Sequence, residues 1–308
     1  MRKLGKMQIV INDDLRFDRL HSRVHLESVD HSIIELVSKS LCSTERTNKS
    51  LKKALVAHLQ NPGRRIRAKL ALDACSALGV NSGDALSLAM VCEMLHSASL
   101  IHDDIQDCDT ERRGQPTLWV THGIDLAICA GDALLSGAFG ALAEFSKPDR
   151  LPLMLQRVCQ RTADALSGQS ADLATRTQPV QDIAHYEAIA AQKSGALLGL
   201  PLELALLAAG WAMHCETARA AAASFAIGYQ ILDDIADRTN DLATPNKAAA
   251  LNVVEVLVAA GYGARAIDEA RSSGRAHLDR AIRESGRLPG DVGATLIEMA
   301  RALSVQLQ

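Results

Sequence analysis

Aromatic side chains are scarce in this chain: two Trp, three Tyr and four Phe make up 3% of 308 residues. A pocket that holds a cation mainly by walls of aromatic faces is therefore not expected. Charge of one sign is missing too. Lys and Arg number 33 against 36 Asp and Glu, and the net charge of −3 gives no basic field for nucleic acid. The cysteines (Cys42, Cys75, Cys92, Cys108, Cys129, Cys159 and Cys215) are odd in number and form no CxxC pair. That spacing argues against a disulfide framework or a zinc site and fits a reducing, cytoplasmic setting. The first thirty residues contain no apolar h-region, so no secretory signal is expected. No transmembrane segment is expected either, because the most apolar stretch, Leu197 to Met213, carries Pro201 and Glu203 and reads as a buried core helix.

Glycine and proline are sparse and cluster where helical patterns break. The breaks fall near Asn61-Pro62-Gly63, Gly114 to Pro116, Lys147 to Pro152, Thr177 to Pro179, Thr239 to Asn246, Gly261 to Gly263 and Ser285 to Gly293. Between them run Ala- and Leu-rich stretches with apolar residues three and four apart. From Asp84 to Asp107, Leu86, Met90, Val91, Met94, Leu95, Ala98 and Ile101 share a broad face, predicting a helix roughly 35 Å long. No segment shows strand-like alternation, and the β-branched run from Val253 to Val258 follows a helical pattern ending at Ala260-Gly261. The chain reads as all-α and as one domain over 29–308, preceded by an arm or first helix over 1–28.

Two acidic motifs of identical spacing stand out: Asp103-Asp104-x-x-Asp107 and Asp233-Asp234-x-x-Asp237. On a helix, positions four and three apart share a face, so each motif gathers its carboxylates in a small volume. Such groups repel one another and are costly to desolvate unless cations hold them. Hard oxygen ligands suit Mg²⁺, which keeps much of its water and bridges carboxylates to phosphates. One such motif alone is often a solvated acidic helix face. Two copies beside apolar runs, with arginines close by, point to a diphosphate-binding metal site.

The arginines form two clusters. Gly63-Arg64-Arg65-Ile66-Arg67 follows a turn and opens a helix, whose N-terminal N–H groups also favour anions. Arg112-Arg113-Gly114 follows the first aspartate motif within one short loop. Guanidinium groups bind phosphate bidentately, although either cluster alone would also serve to balance nearby acid. Lys193-Ser194-Gly195 ends an alanine-rich helical stretch, an ordinary place for a lysine. His96 lies two helical turns before Asp103, and Gln230 three residues before Asp233; each is placed either to serve the carboxylate end or simply to pack.

With these residues the chain resembles the trans-isoprenyl diphosphate synthases. The resemblance rests on Gly63 to Arg67, the run from Glu93 through Asp107, and Arg112 to Thr117. It continues through Gly131-Asp132, Gly168-Gln169, Lys193 to Gly195 and Tyr229 to Asp237, all in the family's order. It implies an all-α bundle around a deep central cavity, usually a homodimer, with the aspartate motifs facing each other across the cavity mouth. Carried over by position, Asp103, Asp104, Asp107, Asp233 and Asp234 would hold three Mg²⁺ on an allylic diphosphate, with Asp237 a more distant helper. Arg112 and Lys193 would hold that same diphosphate; Arg64, Arg67, His96 and Arg113 would hold isopentenyl diphosphate. Gln230 and Lys193 would lie near the carbocation left when the allylic C–O bond breaks, and the departing diphosphate would take the final proton.

In this family the residues four and five places before the first aspartate lie beneath the growing chain. Here they are Ser99 and Ala98, both small, with Leu95 and Met94 one turn deeper, ~5.4 Å along the axis. This floor predicts a product longer than C15, with C20 geranylgeranyl diphosphate the first choice and C15 or C25 and above as alternatives. The pattern departs from the family after the second motif. Arg238 to Val254 lacks the expected Gly-Lys, Gly-x-Asp and Lys-x-Thr run, with Lys247 the one candidate replacement. Arg64, Ser194 and Tyr229 stand where lysine, threonine and phenylalanine are usual. A class I terpene cyclase shares the ionisation chemistry, but the few aromatics and the second DDxxD argue against it. A non-catalytic partner subunit is a further alternative, which the intact motifs oppose.

Overall fold

The structure is a computed structural model and describes residues 20–41, 49–60, 63–180, 182–241 and 251–307. Its described residues are almost entirely helical, in keeping with the all-α expectation, and they group into two compact units. One unit comprises Asp18–Gln156 with Leu204–Gly210; the other includes Arg157–Glu203 and Trp211–Gln308. Residues 1–19 and 242–250 lie outside the described residues, so most of the expected N-terminal arm and the altered segment with Lys247 do too.

The first unit is built on α1 (Leu20–Leu41), α2 (Lys49–Leu59), α3 (Ile66–Ala77) and α4 (Ser82–Gln106). A hairpin, β1 (Glu111–Arg112) and β2 (Gln115–Pro116), leads to α5 (Leu118–His122) and α6 (Ile124–Ala143). The predicted long helix is α4. Asn81 caps it by accepting a hydrogen bond from the Asp84 N–H at 2.9 Å, and the Asn81 amide donates back to the Asp84 carboxylate at 2.7 Å. Asp84 in turn accepts from the Ser146 N–H and hydroxyl, at 2.8 and 2.7 Å, fixing the start of α4 to the chain beyond α6. Along its length α4 buries Leu88, Val91, Met94, Leu95, Ala98 and Ile101. Gly131 and Gly137 let α6 close on it. An added Cβ at Gly131 would fall 2.2 Å from His102 Nε2, and one at Gly137 only 3.1 Å from the Met94 sulfur.

The hairpin corrects the expectation of no strand. Its two-residue turn, Arg113-Gly114, has φ of 54° and 75°, the type I′ geometry that two-residue hairpins favour. A pair this short leaves no alternation to read in the sequence. Both α4 and α6 are long and apolar enough to cross a membrane by length and composition. In their most apolar windows, 67% of α4 and 44% of α6 are buried within the protein.

The second unit contains most of α7 (Leu151–Ala174), then α8 (Ile183–Ala190), part of α9 (Ala196–Ala209), α10 (Cys215–Asp241), α11 (Val253–Ala259), α12 (Ala266–Ser285) and α13 (Ala294–Gln306). Tyr186, Ile189, Ile227, Ile231, Val253, Val254 and Leu257 form a core between α8, α10 and α11. Two glycines bring α10 and α12 close: an added Cβ at Gly228 would meet Leu278 at 2.7 Å, and one at Gly274 would meet Ile231 at 3.1 Å. Glu203, fully buried, is held by Arg161 at 2.7 and 3.0 Å and by Arg157. A buried carboxylate keeps its charge only with partners of this kind.

Candidate active site

In the first unit, Asp103 and Asp104 occupy the last turn of α4 and Asp107 is its C-cap. The carbonyl end of a helix adds negative potential, so three carboxylates there call for cations. Cys108, left-handed at φ 54°, stops the helix, and the hairpin folds back over its end. The Asp109 carbonyl pins the fold-back by accepting from Thr117 Oγ1 and Trp119 Nε1, both at 2.8 Å. Arg112 thereby reaches the motif: its Nε donates to Asp104 Oδ1 at 2.6 Å and its Nη2 lies 3.8 Å from Asp103. Asp104 is buried, which lifts its pKa to about 6 against the opposing pull of Arg112.

The two arginine clusters converge within this unit. The Arg113 guanidinium lies over Gly63, where an added Cβ would fall 2.3 Å from Nη2 and displace it. Arg65 turns away: with φ 48° it precedes α3, pairs with Asp30 of α1 at 2.8 Å and donates to the Leu59 carbonyl at 3.2 Å. It fastens α1 and α2 to the start of α3. His96 sits among Arg67, Arg113, Arg112 and Arg65; burial first, and these charges second, push its pKa well below 6.5, so it meets an anion as a neutral donor. Glu93, one turn before His96, is buried, and burial raises its pKa against the pull of Arg65 and Arg67. Among the described residues, the three non-glycine positions with positive φ are Arg65, Cys108 and Arg113, all at these motifs.

On α4, Leu95, Ser99 and Asp103 form one row and Met94, Ala98 and His102 the next. Leu95, Met94 and Ala98 are buried and Ser99 is half-buried, its hydroxyl donating to the His96 carbonyl at 2.8 Å. Met94 packs against α6 at Gly137, near Val37 of α1.

In the second unit Lys193 does not end a helix, as the sequence suggested. It lies in a π-helical turn, Ala191–Gly195, through which α8 runs on into α9. Such single wide turns often occur at functional positions. Gly168 of α7 makes room for it, since an added Cβ there would fall 2.2 Å from the Lys193 nitrogen. One turn along α7 from Gly168, Asp172 pairs with Lys193 Nζ. The spacing Gly168 to Asp172 is the signal that sequence reading stopped short of.

Asp234 accepts hydrogen bonds from Gln230 Nε2 (2.9 Å), Tyr186 OH (2.8 Å) and the Val253 N–H (2.8 Å). Burial lifts its pKa to about 7, opposed first by the Gln230 bond and then by those from Val253 and Tyr186. The second aspartate of each motif is thus the inward one. Asp104 and Asp234 are expected among the metal ligands; Asp234 Oδ2, which takes the Tyr186 and Val253 bonds, ties α8, α10 and α11 together, while Oδ1 accepts from Gln230 one turn earlier on α10. Asp103 with Asp107, and Asp233 with Asp237, form the partly exposed i,i+4 pairs. Gln230, expected near the reacting centre, donates to Asp234. Tyr186 and Val253 were not foreseen, because nothing local to them marks a partner about 50 and 20 residues away.

The carboxylate pairs fit Mg²⁺ by their donors, which are hard oxygens with no Cys or His in either motif. Among the described residues no three His, Cys, Asp or Glu side chains converge on one point.

The polyprenyl synthetase family model matches residues 48–286. The chain belongs to the polyprenyl synthetase family. Among its relatives is the heterodimeric geranylgeranyl pyrophosphate synthase large subunit 1 of Arabidopsis thaliana, 34% identical over 234 residues, covering 71% of this chain and 63% of the relative. Farnesyl diphosphate synthase of Bacillus subtilis (strain 168) is 34% identical over 197 residues, covering 61% and 66%. The match thus spans just under two thirds of these relatives' length. Among solved structures, geranylgeranyl pyrophosphate synthetase from Pyrococcus horikoshii Ot3 superposes with a TM-score of 0.77 at 23% identity, covering 92% of this chain and 97% of that one. The apo FPP/GFPP synthase of Zymomonas mobilis gives 0.75 at 26%, covering 92% and 99%. The fold of the chain is the all-α fold of isoprenoid synthases.

Proposed function

We propose that this member of the polyprenyl synthetase family elongates prenyl chains, joining isopentenyl diphosphate head to tail to an allylic diphosphate with Mg²⁺, to give geranylgeranyl diphosphate. The observation that carries the reading lies within the first unit: an aspartate motif at the negative end of α4, beside arginines gathered from two separate stretches of chain. Carboxylates with metals suit one diphosphate, and metal-free guanidinium groups suit another. The relatives named as geranylgeranyl and farnesyl diphosphate synthases support the same chemistry.

In this reading Asp103 and Asp107 within the first unit, and Asp233 and Asp237 within the second, each hold Mg²⁺ on diphosphate oxygens. Bound there, Mg²⁺ supplies Lewis acidity that stabilises the charge of a leaving diphosphate. Arg112 in the first unit and Lys193 in the second each bind diphosphate, and each is kept in position by a carboxylate, Asp104 and Asp172 respectively. Arg64, Arg67 and Arg113, with neutral His96 donating a hydrogen bond, hold isopentenyl diphosphate. The allylic C–O bond breaks, the alkene of isopentenyl diphosphate forms the new C–C bond, and the proton it then sheds passes to the departed diphosphate. Fixed cations directed at developing charge account for the rate.

Small Ala98 and Ser99 leave room for a chain longer than C15, and Leu95 is the stop beneath them. The chain acts as a homodimer. Val120, Ile124 and Ile128 leave an apolar strip exposed on α5 and α6, at 46%, 48% and 43%, which a second copy would cover. The site assignment is tested with Asp103→Ala and Asp233→Ala: each removes most turnover while circular dichroism stays that of the wild type. Full activity in both variants refutes it.

A further inference from the structure

α11 begins where the chain comes back to the second aspartate motif. Asn252 is extended there, with φ −137° and ψ 126°, and caps α11: its Oδ1 accepts a hydrogen bond from the Val254 N–H at 2.9 Å. Its Nδ2 donates to the main-chain carbonyl of Asp234 at 2.9 Å, 18 residues back along the chain. The next N–H, that of Val253, donates to the Asp234 carboxylate at 2.8 Å. Asp234 is therefore held at backbone and side chain by two consecutive residues. Only one orientation of the Asn252 amide serves both of its partners, because the Val254 N–H needs an acceptor and the Asp234 carbonyl needs a donor. Serine and aspartate cap a helix as well as asparagine does, but neither has a second arm that donates while the first accepts.

The Asp234 carbonyl belongs to the turn of α10 that runs from Asp233 to Asp237, the two partly exposed carboxylates of the motif. Side chains four apart on a helix keep their separation only while the turn between them keeps its shape. We propose that Asn252 is a positioning residue for the second aspartate motif: by gripping the Asp234 carbonyl while it caps α11, it holds the turn that sets Asp233 and Asp237 for the metal ion. This rests on the reading above, that these two carboxylates hold Mg²⁺. Asp234, Asn252, Val253 and Val254 all lie within the second unit. Asn252 also lies in the stretch from Arg238 to Val254 where the chain departs from the family's pattern, so no motif quoted above marks it.

The test titrates Mn²⁺, which takes the same oxygen ligands as Mg²⁺, into the full chain with inorganic diphosphate present, and measures the free ion by electron paramagnetic resonance. An Asp103→Ala background leaves the second motif as the main reporter. Asn252→Ser keeps a capping oxygen and loses the donor to the carbonyl. Its urea unfolding midpoint should therefore stay close to that of the parent, while its Mn²⁺ affinity falls about fivefold, within the worth of one neutral hydrogen bond. If Asp233→Ala abolishes binding in the same background and Asn252→Ser binds Mn²⁺ as its parent does, the proposal is overturned and the metal reading stands. A midpoint that falls together with the affinity makes Asn252 a structural cap only, and overturns the proposal too. If Asp233→Ala binds Mn²⁺ as well as its parent, the metal reading of the second motif falls and this inference with it. Should Asn252→Ser fail to fold, Asn252→Thr, which also caps through a single hydroxyl, takes its place with the same expectations.

Discussion

Replacing Asp234 by alanine removes the acceptor for three donors at once: Tyr186 OH, Gln230 Nε2 and the Val253 N–H. Gln230 is half-buried and can turn to water, but the other two donors stay inside. Each unpaired buried donor costs about 1–3 kcal/mol, so the pair costs about 4 kcal/mol. Part of that is returned because the carboxyl itself is desolvated, the same burial that lifts its pKa to about 7. The expected net loss is about 3 kcal/mol, a large share of a typical stability of about 5–15 kcal/mol. Asp233→Ala, one residue away and partly exposed, should cost no more than about 0.5 kcal/mol while removing turnover. Urea unfolding followed by far-ultraviolet circular dichroism gives both numbers. Equal unfolding midpoints for the two variants refute the assignment of Asp234 to the anchoring of α8, α10 and α11.

Gly168→Ala should lower stability by about 1–3 kcal/mol, because its Cβ would fall 2.2 Å from the Lys193 nitrogen, outweighing the helix propensity gained. Gly140→Ala, with nothing within 4 Å, should instead raise stability by about 0.5–1 kcal/mol; thermal unfolding of the two separates space from propensity. His58, at about 4 in the fold against 6.5 ordinarily, binds its proton more readily when unfolded, so it lowers stability as pH falls from 6.5 to 4. That contribution reaches about 3 kcal/mol and is read as the difference between wild type and His58→Gln, since Asp234, raised from 3.8 to about 7, acts in the opposite sense over an overlapping range. Leu95→Ala should lengthen the product and Ala98→Phe shorten it; unchanged product lengths in correctly folded variants refute the floor.

The fold class, the long α4 and the two aspartate motifs were legible because each is written in local spacing: apolar residues three and four apart, carboxylates four apart. The convergence of the two arginine clusters was legible only through resemblance, since Gly63 and Arg113 lie 50 residues apart and meet through the absence of a Cβ. Local spacing also could not distinguish the two aspartates of each Asp-Asp pair. Their difference comes from partners brought by tertiary structure: Arg112 on a hairpin for Asp104, Tyr186 and Val253 for Asp234. The π turn at Lys193 was hidden for a related reason. Ala191 to Gly195 has ordinary helical composition, and the widened turn shows itself only against Gly168.

Chain elongation itself is the direct test of the account. The purified protein is incubated with isopentenyl diphosphate and, in turn, dimethylallyl, geranyl and farnesyl diphosphate, with Mg²⁺ or with a chelator, and the dephosphorylated products are sized by mass. The account predicts a discrete C20 product that requires Mg²⁺. A discrete product of another length would keep the chemistry and contradict the floor formed by Ala98, Ser99 and Leu95. No elongation from any primer would contradict the central claim.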